Sequence, residues 1–364
     1  MARIGTLGIE EEFYIVDAAT RAPVPAAETV LSAVDQLDIS VTGELTPMQI
    51  ELKTPVCGNL TTAALALIRG RRILAKIAAQ HGWKILASAT PPLGDVPPPP
   101  LRDIPRYSAL FDRFGALLEE QGTCGLHVHV GVSNIEDAVR VCGYLRPWLS
   151  YLLAISANSP FHLGRDTCYA SWRAIIAGRW PTITAPPVMS DHAEFSTTVR
   201  QFQRHGVALD ASGVYWWARP SVAFSTVEVR IADSQPTVAD TMLIAALARA
   251  LVLEALHDIR TGAMPPHLDD AKVNGMIWRA AREGLEGMII DAGTDEVAPA
   301  FTLIRRLCSR LRPHLEKAGD WRTVECLLDR LHRLGSSAQR QRVAAQRGGL
   351  RSTVDSLSLQ LGIR

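Results

Sequence analysis

The sequence lacks several features that would assign it to a familiar class of protein. It has no G-x-x-x-x-G-K-[ST] loop, no G-x-G-x-x-G turn after a strand and no G-x-S-x-G elbow, which disfavours P-loop, Rossmann and α/β-hydrolase enzymes. It also lacks a charge excess, because 38 Lys+Arg against 37 Asp+Glu give a net charge of +1 over 364 residues. Without a basic field, neither nucleic acid nor an anionic membrane surface is an expected partner.

Disulfide scaffolds, leader peptides and membrane spans are not indicated either. The six cysteines are widely spaced without a C-x-x-C pair, so we expect reduced thiols. Residues 1–10 turn acidic before an apolar core could form, and the apolar residues 242–256 are interrupted by Arg249 and Glu254. We therefore expect a cytoplasmic protein that makes no membrane contact.

Two kinds of periodicity divide the chain. Strands are predicted at residues 7–16, 48–56, 83–89, 125–132 and 226–232. Helices are predicted at residues 26–37, 61–80, 135–157 with a kink at Pro147, 239–257, 268–284, 299–317 and 321–345. This segregation predicts an α+β protein with a single domain over residues 1–364, strand-rich in 1–235 and helical in 238–364.

Two stretches have no regular pattern. The four prolines at residues 97–100 predict a surface loop, since proline fits neither a helix interior nor a central strand. Residues 159–217 are rich in glycine, proline and aromatic residues, and periodicity does not resolve them. Long irregular segments of this kind are usually functional or mobile.

Four predicted strands combine an apolar face with a face of ionisable side chains, because side chains two residues apart lie on the same side of a strand. The polar faces carry Glu10 with Glu12, Gln49 with Glu51 and Lys53, His127 with His129, and Glu228 with Arg230. Converging carboxylates repel one another unless cations lie among them, and an oxygen-rich ligand set favours Mg²⁺ or Mn²⁺ over zinc. Such ions commonly neutralise a triphosphate, and Arg230 could stabilise a phosphoryl group in transfer.

Each motif alone also has a plain structural explanation. A single E-x-E strand is usually solvated, an H-x-H strand can hold structural histidines, and Glu228 with Arg230 can form an ion pair. The repetition of one pattern in four strands favours a metal-dependent site over these alternatives.

The ordered motifs resemble those of the glutamate–cysteine ligase type 2 family, particularly its YbdK-like carboxylate-amine ligase branch. They are L-G-I-E-E-E-F at 7–13, Glu44 with Q-I-E-L-K-T-P at 49–55, G-L-H-V-H at 125–129, N-S-P-F at 158–161 with G-R-D-T at 164–167 and Y-A-S-W-R at 169–173, and R-P-S at 219–221 with T-V-E-V-R at 226–230. The resemblance runs from about residue 7 to the helix after Pro236, and more loosely to the end. It implies a glutamine-synthetase-type catalytic core, in which a curved, mainly antiparallel sheet forms a funnel with helices packed outside.

The resemblance also implies an ATP-dependent ligation. ATP, as co-substrate, would phosphorylate the γ-carboxylate of glutamate, and an amine such as cysteine would displace the phosphate. Residue by residue, it implies a set of metal ligands: Glu10, Glu12, Glu51, His127 and Glu228.

The remaining implied roles concern catalysis and substrate binding. Arg173 and Arg230 match arginines near the transferred phosphate or the acyl substrate, and Arg219 matches a further substrate-binding arginine. Glu44 is implied as a substrate or amine contact. His129 is the ambiguous member of the substrate-binding set, because the more distant type 1 ligases tend to carry an amide there.

Two positions depart from the family pattern. Cys168 and Ser225 stand where relatives often have glycine, so the backbone beside Arg173 and Glu228 can differ from theirs. We expect this to affect the placement of the substrate more than the metal site.

Two other functions agree with the sequence. A zinc-dependent hydrolase could use His127 and His129 with a third ligand and a metal-activated water. Alternatively, the chain could be a non-catalytic nucleotide-binding relative. The amine is not identified, and apolar surface in the helical C-terminal third suggests a homodimer.

Overall fold

The computed structural model describes residues 4–94, 100–221 and 223–360. The strands are β1 Leu7–Asp17, β2 Ser40–Gly43, β3 Gln49–Lys53, β4 Trp83–Leu86, β5 Gly125–Gly131, β6 Phe161–His162, β7 Arg165–Asp166, β8 Ala218–Pro220, β9 Thr226–Asp233, β10 Met288–Ile290 and β11 Val297–Pro299. The helices are α1 Ala27–Val34, α2 Leu60–Gln80, α3 Pro105–Phe114, α4 Ala116–Glu119, α5 Ile135–Leu145, α6 Leu149–Ser156, α7 Trp172–Ala177, α8 His192–Arg204, α9 Val238–Thr261, α10 Asp270–Glu283, α11 Ala300–Ala318, α12 Trp321–Leu334 and α13 Ser337–Leu357.

One antiparallel sheet organises the strand-rich part. Within the described residues it has seven strands in the order β2-β3-β1-β5-β9-β8, and β4 pairs with the end of β1 beyond β3. β1 is therefore central, with β3 on one side and β5 on the other. The expected α+β class with a mainly antiparallel sheet is confirmed.

The odd-numbered residues of β1 lie on the apolar face of the sheet. Ile9, Phe13 and Ile15 are buried there, together with the even-numbered residues of β5. Helices α2, α6 and α9 pack against the strands, and one hydrophobic cluster continues from this layer into α10, α11 and α12. The alternation of apolar residues thus fixes which side of the sheet the helices cover.

Glu11 is the exception on this apolar face. It is fully buried, and its two carboxylate oxygens accept hydrogen bonds from Arg71 of α2 at 2.8 and 2.6 Å. The hydroxyl of Thr241 donates a third hydrogen bond at 2.6 Å. The charge of Glu11 is therefore balanced inside the core.

The helix ends follow ordinary capping chemistry. Asn59 accepts the backbone N–H of Thr62 at the start of α2, and Thr237 accepts that of Asp240 at the start of α9. The kink expected at Pro147 is confirmed, because a 3₁₀ turn at Arg146–Trp148 separates α5 from α6. No helix in the described ranges has both the length and the apolar character of a membrane span.

Several predicted boundaries are wrong. The helix expected at 321–345 is two helices, since Gly335 has a φ of 76° and Ser336 caps α13. The region after residue 238 is not wholly helical, because β10 and β11 form a hairpin. The irregular stretch 159–217 contains α7, α8 and the β6–β7 hairpin, and β2 was not predicted. Of the four prolines expected in a loop, residues 97–99 lie outside the described part of the chain.

Candidate active site

The register of the sheet brings the ionisable faces of four strands side by side. Glu10 lies opposite His127 of β5 and Lys53 of β3, and Glu12 lies opposite Glu51. His129 lies opposite Glu228 of β9, which in turn pairs with Arg219 of β8. The separate polar faces inferred from the sequence therefore form one continuous surface.

His127 lies at the centre of the carboxylates. Its Nδ1 atom is 3.4 Å from Glu10, 3.9 Å from Glu51 and 4.0 Å from Glu228, and its Nε2 atom is 3.7 Å from Glu12. The other four residues expected to ligate metal thus each have a carboxylate oxygen within 4.0 Å of this imidazole. Glu51, His127 and Glu228 are buried.

His129 lies at the edge of this group. Its Nε2 atom is 3.7 Å from Glu10 and 4.0 Å from Glu228, while Nδ1 is 2.9 Å from the hydroxyl of Thr226. The side chain therefore contacts the acidic group from the β9 side, at the start of that strand.

Glu44, expected as a substrate or amine contact, lies among the acids. It follows β2, and its carboxylate, with those of Glu12 and Glu51, offers oxygen atoms within 4.8 Å of one another. The short strand β2, which pairs with β3, places it there. Periodicity did not reveal this position, because β2 has only four residues and Glu44 lies just after it.

Three groups of side chains offer ligand atoms within 4.8 Å of one another in the described part of the chain. They are Glu10 with Glu51 and His127, Glu10 with His129 and Glu228, and Glu12 with Glu44 and Glu51. Each holds at most one histidine, and most of the donors are carboxylate oxygens. This donor set fits hard cations such as Mg²⁺ or Mn²⁺, and it fits a zinc site that needs both His127 and His129 less well.

The cations that contact these acids are fewer than the acids themselves. Lys53 lies 2.6 Å from Glu51 and 3.4 Å from Glu10. Arg219 donates to Glu228 at 2.7 Å, and Arg230 contacts the same carboxylate. Among the described residues these three face five carboxylates, including Glu12 and Glu44, which leaves negative charge for a bound cation to balance.

The pKa shifts divide the acids into two kinds. Burial, reinforced by the neighbouring acids, raises the pKa of Glu51 and raises that of Glu44 well above its usual value. Burial also opposes ionisation of Glu228, but Arg230 and Arg219 outweigh it and hold the pKa of Glu228 well below its usual range. For Glu10, contacts with His127 and His129 outweigh burial and lower the pKa in the same way.

Arg173 does not contact the carboxylate group. Its guanidinium donates to the backbone oxygens of Ile231 and Arg230 at 3.2 and 3.1 Å and lies 3.8 Å from Asp233. A Cβ atom at Gly125 would lie 2.5 Å from its Nη2 atom, so the close approach requires glycine. The Gly125 N–H donates to the Glu12 carboxylate, so Gly125 lies between Arg173 and the acidic group. Its Nε atom is buried without a hydrogen-bond partner.

Asp233, at the end of β9, was missed by sequence reasoning. It is fully buried and accepts hydrogen bonds from the hydroxyls of Ser159 and Ser171 at 2.7 and 2.9 Å. Ser171 also caps α7, the helix that carries Arg173. The N-S-P and A-S-W-R motifs therefore meet at one carboxylate, a meeting that their spacing in the sequence does not reveal.

Cys168 keeps the backbone conformation that glycine favours. Its φ is 62°, in the left-handed region, although it carries a side chain. The substitution noted in the sequence therefore leaves the turn before α7 in place.

The sheet face is closed beyond Glu12. The Tyr14 hydroxyl donates to the Gly122 carbonyl at 2.6 Å, and the Gln49 amide donates to the Thr123 carbonyl at 2.9 Å. A cavity of about 710 Å³ lies past this point, and Tyr14 and Trp172 are among its lining residues. The acidic group is therefore separated from this cavity by a hydrogen-bonded layer.

Comparison with known proteins decides the family. The model of the glutamate-cysteine ligase family 2 matches residues 6–356. The chain belongs to this family. A family member from Saccharopolyspora erythraea, named as a candidate glutamate–cysteine ligase 2-1, is 41% identical over 342 residues, covering 94% of this chain and 90% of the relative. A candidate glutamate–cysteine ligase 2 from Salinispora arenicola is 39% identical, with 98% and 94% covered.

Solved structures agree on the fold of the family. The glutamate–cysteine ligase of Francisella tularensis, solved in complex with AMP, superposes with a TM-score of 0.70 over 99% of this chain and 89% of that one, at 14% identity. A bifunctional glutathione synthetase from Pasteurella multocida gives a TM-score of 0.67 over 97% of this chain and 52% of that one, also at 14% identity. The family resemblance drawn from the motifs is confirmed, and the chain is a ligase of the glutamate–cysteine ligase type by family.

Proposed function

We propose that this protein is an ATP-dependent carboxylate-amine ligase that uses Mg²⁺ or Mn²⁺ and takes glutamate as its acid. The observation that carries the proposal is that, among the described residues, five carboxylates lie together while only three lysine or arginine side chains contact them. Such a group is tolerable when divalent ions are bound, and ions so held can neutralise a triphosphate. The family membership and the AMP-bound structural relative agree with a nucleotide substrate.

The proposed reaction has two steps. An oxygen of the substrate carboxylate attacks the γ-phosphorus of ATP, the bond to the β,γ-bridging oxygen breaks, and ADP leaves. The amine nitrogen then attacks the acyl carbon, the carbon–oxygen bond to phosphate breaks, and the nitrogen loses a proton. The products are an amide, ADP and inorganic phosphate.

The chain's own residues would contribute mainly position and charge. Glu10, Glu12, Glu51, His127 and Glu228 would hold the cations. Glu44 is better placed to join Glu12 and Glu51 as a ligand than to bind the amine. The bound ions would neutralise the phosphate charge.

The proposed arginine roles differ in their support. Arg230 and Arg219 lie beside the cation site, on Glu228, and would stabilise charge on the transferred phosphoryl group. Arg173 would contact the acyl substrate, and His129 would contact the nucleotide phosphates from the edge of the group.

The test is product release from Mg-ATP, glutamate and a panel of amines that includes cysteine. We expect ADP and phosphate in equal amounts, with amide formed. Glu12→Gln and Glu228→Gln should each lower kcat on the order of 10³-fold, the scale at which loss of one preorganised electrostatic group acts. Glu316→Gln, on the exposed surface of α11, is the matched control and should retain full turnover.

Three results would contradict the proposal. Full turnover in both active-site variants would show that the carboxylate group is not the reaction centre. One tightly held zinc per chain, with hydrolysis that needs no nucleotide, would favour the zinc hydrolase built on His127 and His129. Nucleotide binding without turnover for any acid and amine would favour the non-catalytic relative. The homodimer stays a prediction, which sedimentation equilibrium would check.

A further inference from the structure

One aromatic ring lies against both Arg219 and Arg230, the arginines proposed to stabilise the transferred phosphoryl group. The guanidinium carbon of Arg219 is 5.9 Å from the centroid of the Tyr215 ring, and that of Arg230 is 5.8 Å from the same centroid. Both distances are within the range of cation–π attraction. Tyr215 is half-buried and lies just before β8, in the loop-rich stretch that the sequence left unresolved.

The two arginines need a partner besides Glu228. Both contact this one carboxylate. Two guanidinium groups this close repel each other. When Glu228 also holds a cation, less of its negative charge is left for the arginines, and a neighbouring π-face keeps its attraction for both.

The loop that carries Tyr215 is itself fixed. The Tyr215 N–H donates to the hydroxyl of Thr182 at 3.3 Å, and its ring packs edge-on against Trp180 at 5.9 Å. Arg219 donates to the backbone oxygens of Ser212 and Val214 at 3.0 and 2.8 Å, just before the tyrosine. The ring and the guanidinium are therefore held by one short segment of chain.

We propose that Tyr215 is a positioning residue, whose ring holds Arg219 and Arg230 side by side and directed at the phosphoryl group in transfer. The inference rests on the proposed ligase function for its last step. The restraint on the two guanidinium groups, in contrast, is a property of the free protein. The two can therefore be tested separately.

The first test measures the arginines without nucleotide. Side-chain ¹⁵Nε–¹³Cζ NMR of arginine-labelled protein, assigned with Arg219→Lys and Arg230→Lys, reports how freely each guanidinium rotates. We expect restricted rotation in the wild-type protein and in Tyr215→Phe, which keeps the ring, and faster rotation in Tyr215→Leu, where the hydrogen bonds to Glu228 and the backbone remain. Phe114→Leu is the matched control: Phe114 packs on Trp180 in the same aromatic cluster, whereas the ring that lies over Arg219 and Arg230 is that of Tyr215.

The second test measures the reaction. In Tyr215→Leu we expect kcat to fall about 10- to 100-fold, as expected for losing two partly desolvated cation–π contacts, with little change in KM for the amine. Tyr215→Phe should restore most of the rate, and Phe114→Leu should leave it unchanged.

The outcomes separate the two ideas. If rotation of both arginines in Tyr215→Leu equals that in Phe114→Leu, the positioning role is wrong, whatever the enzyme does. If rotation is released in Tyr215→Leu while the wild-type protein turns over no acid, amine and ATP, the positioning of the arginines stands and the ligase proposal fails. Equal losses of kcat in Tyr215→Phe and Tyr215→Leu would overturn the role of the ring.

Discussion

On the apolar side of β1, the Glu11 carboxylate receives two N–H donors from Arg71 and the hydroxyl of Thr241. On the opposite side, Glu10 and Glu12 meet histidines and further carboxylates. The three residues are consecutive glutamates on one strand. The comparison shows that residue type alone does not tell these acids apart. What differs is the countercharge: Arg71 balances Glu11, whereas the described acids around Glu10 and Glu12 outnumber the lysine and arginine side chains that contact them.

The sharpest way to break this comparison is the same substitution at adjacent positions. Glu11→Gln leaves the Arg71 charge buried and unpaired, so we expect a loss of about 3–5 kcal/mol in the free energy of unfolding. Glu12→Gln removes one of several mutually repelling acids, so the metal-free protein should keep or gain stability. Urea unfolding of both variants measures the difference.

A matched pair of variants checks the reason for that loss. Glu11→Gln combined with Arg71→Met removes both charges and should recover part of the stability. Metal affinity per folded molecule should be unchanged in both, because Glu11 faces away from the acidic group. Equal unfolding free energies for Glu11→Gln and Glu12→Gln would show that the two faces do not differ as described.

A second prediction uses pH. The pKa of Glu44 and of Glu51 is raised by folding, so the folded protein keeps protons that the unfolded chain has lost. As pH rises through these raised values, the protons leave and the metal-free protein loses stability. Glu10 and Glu228 have lowered pKa values, and their contribution is lost only as pH falls below the ordinary carboxylate range.

Divalent cations should reverse this loss, because they bind the ionised acids and release protons. At one fixed concentration, we expect Mg²⁺ to raise the unfolding temperature more at pH 8 than at pH 6. At 100 times the dissociation constant, bound Mg²⁺ adds about 2.7 kcal/mol to the free energy of unfolding. Calorimetry with and without MgCl₂ at each pH measures this stabilisation. In Glu51→Gln the stabilisation by Mg²⁺ should depend less on pH. If the stabilisation of the wild-type protein by Mg²⁺ does not change with pH, the assignment of these acids as ligands is contradicted.

The smallest effect is expected at Lys53, the lysine that bridges Glu10 and Glu51. Its side chain is about one-third exposed, so Lys53→Met should cost the metal-free protein within about 1 kcal/mol. The stabilisation by Mg²⁺ should increase, since the acids lose their built-in cation. A stabilisation by Mg²⁺ smaller than in the wild-type protein would indicate that Lys53 supports cation binding instead of competing with it.

Alternation along the strands was enough to predict which acids share a face. It placed Glu10 and Glu12 apart from Glu11, and the register of β1 with β3 and β5 agrees. It could not identify Arg71 as the partner of Glu11, because that contact joins a strand to a helix 60 residues away.

Other parts of the site depend on structure that leaves little trace in the sequence. Glu44 reaches the acids through a strand too short to show periodicity, and Tyr215 lies in a stretch without regular pattern. Asp233 could be placed at the end of a predicted strand, but its serine partners come from two separate motifs. These contacts are set by tertiary packing, which no local pattern encodes.

Arg71 has a consequence for how the molecule assembles. Besides Glu11, it donates to the carbonyl oxygens of Gln235 and Pro236, just after the strand that carries Glu228. The guanidinium thus joins the first strand of the fold to the end of β9. These two segments are far apart in the sequence, and bringing them together costs chain entropy. In the folded protein, one buried guanidinium therefore ties together two segments of the chain that both carry residues of the acidic pocket.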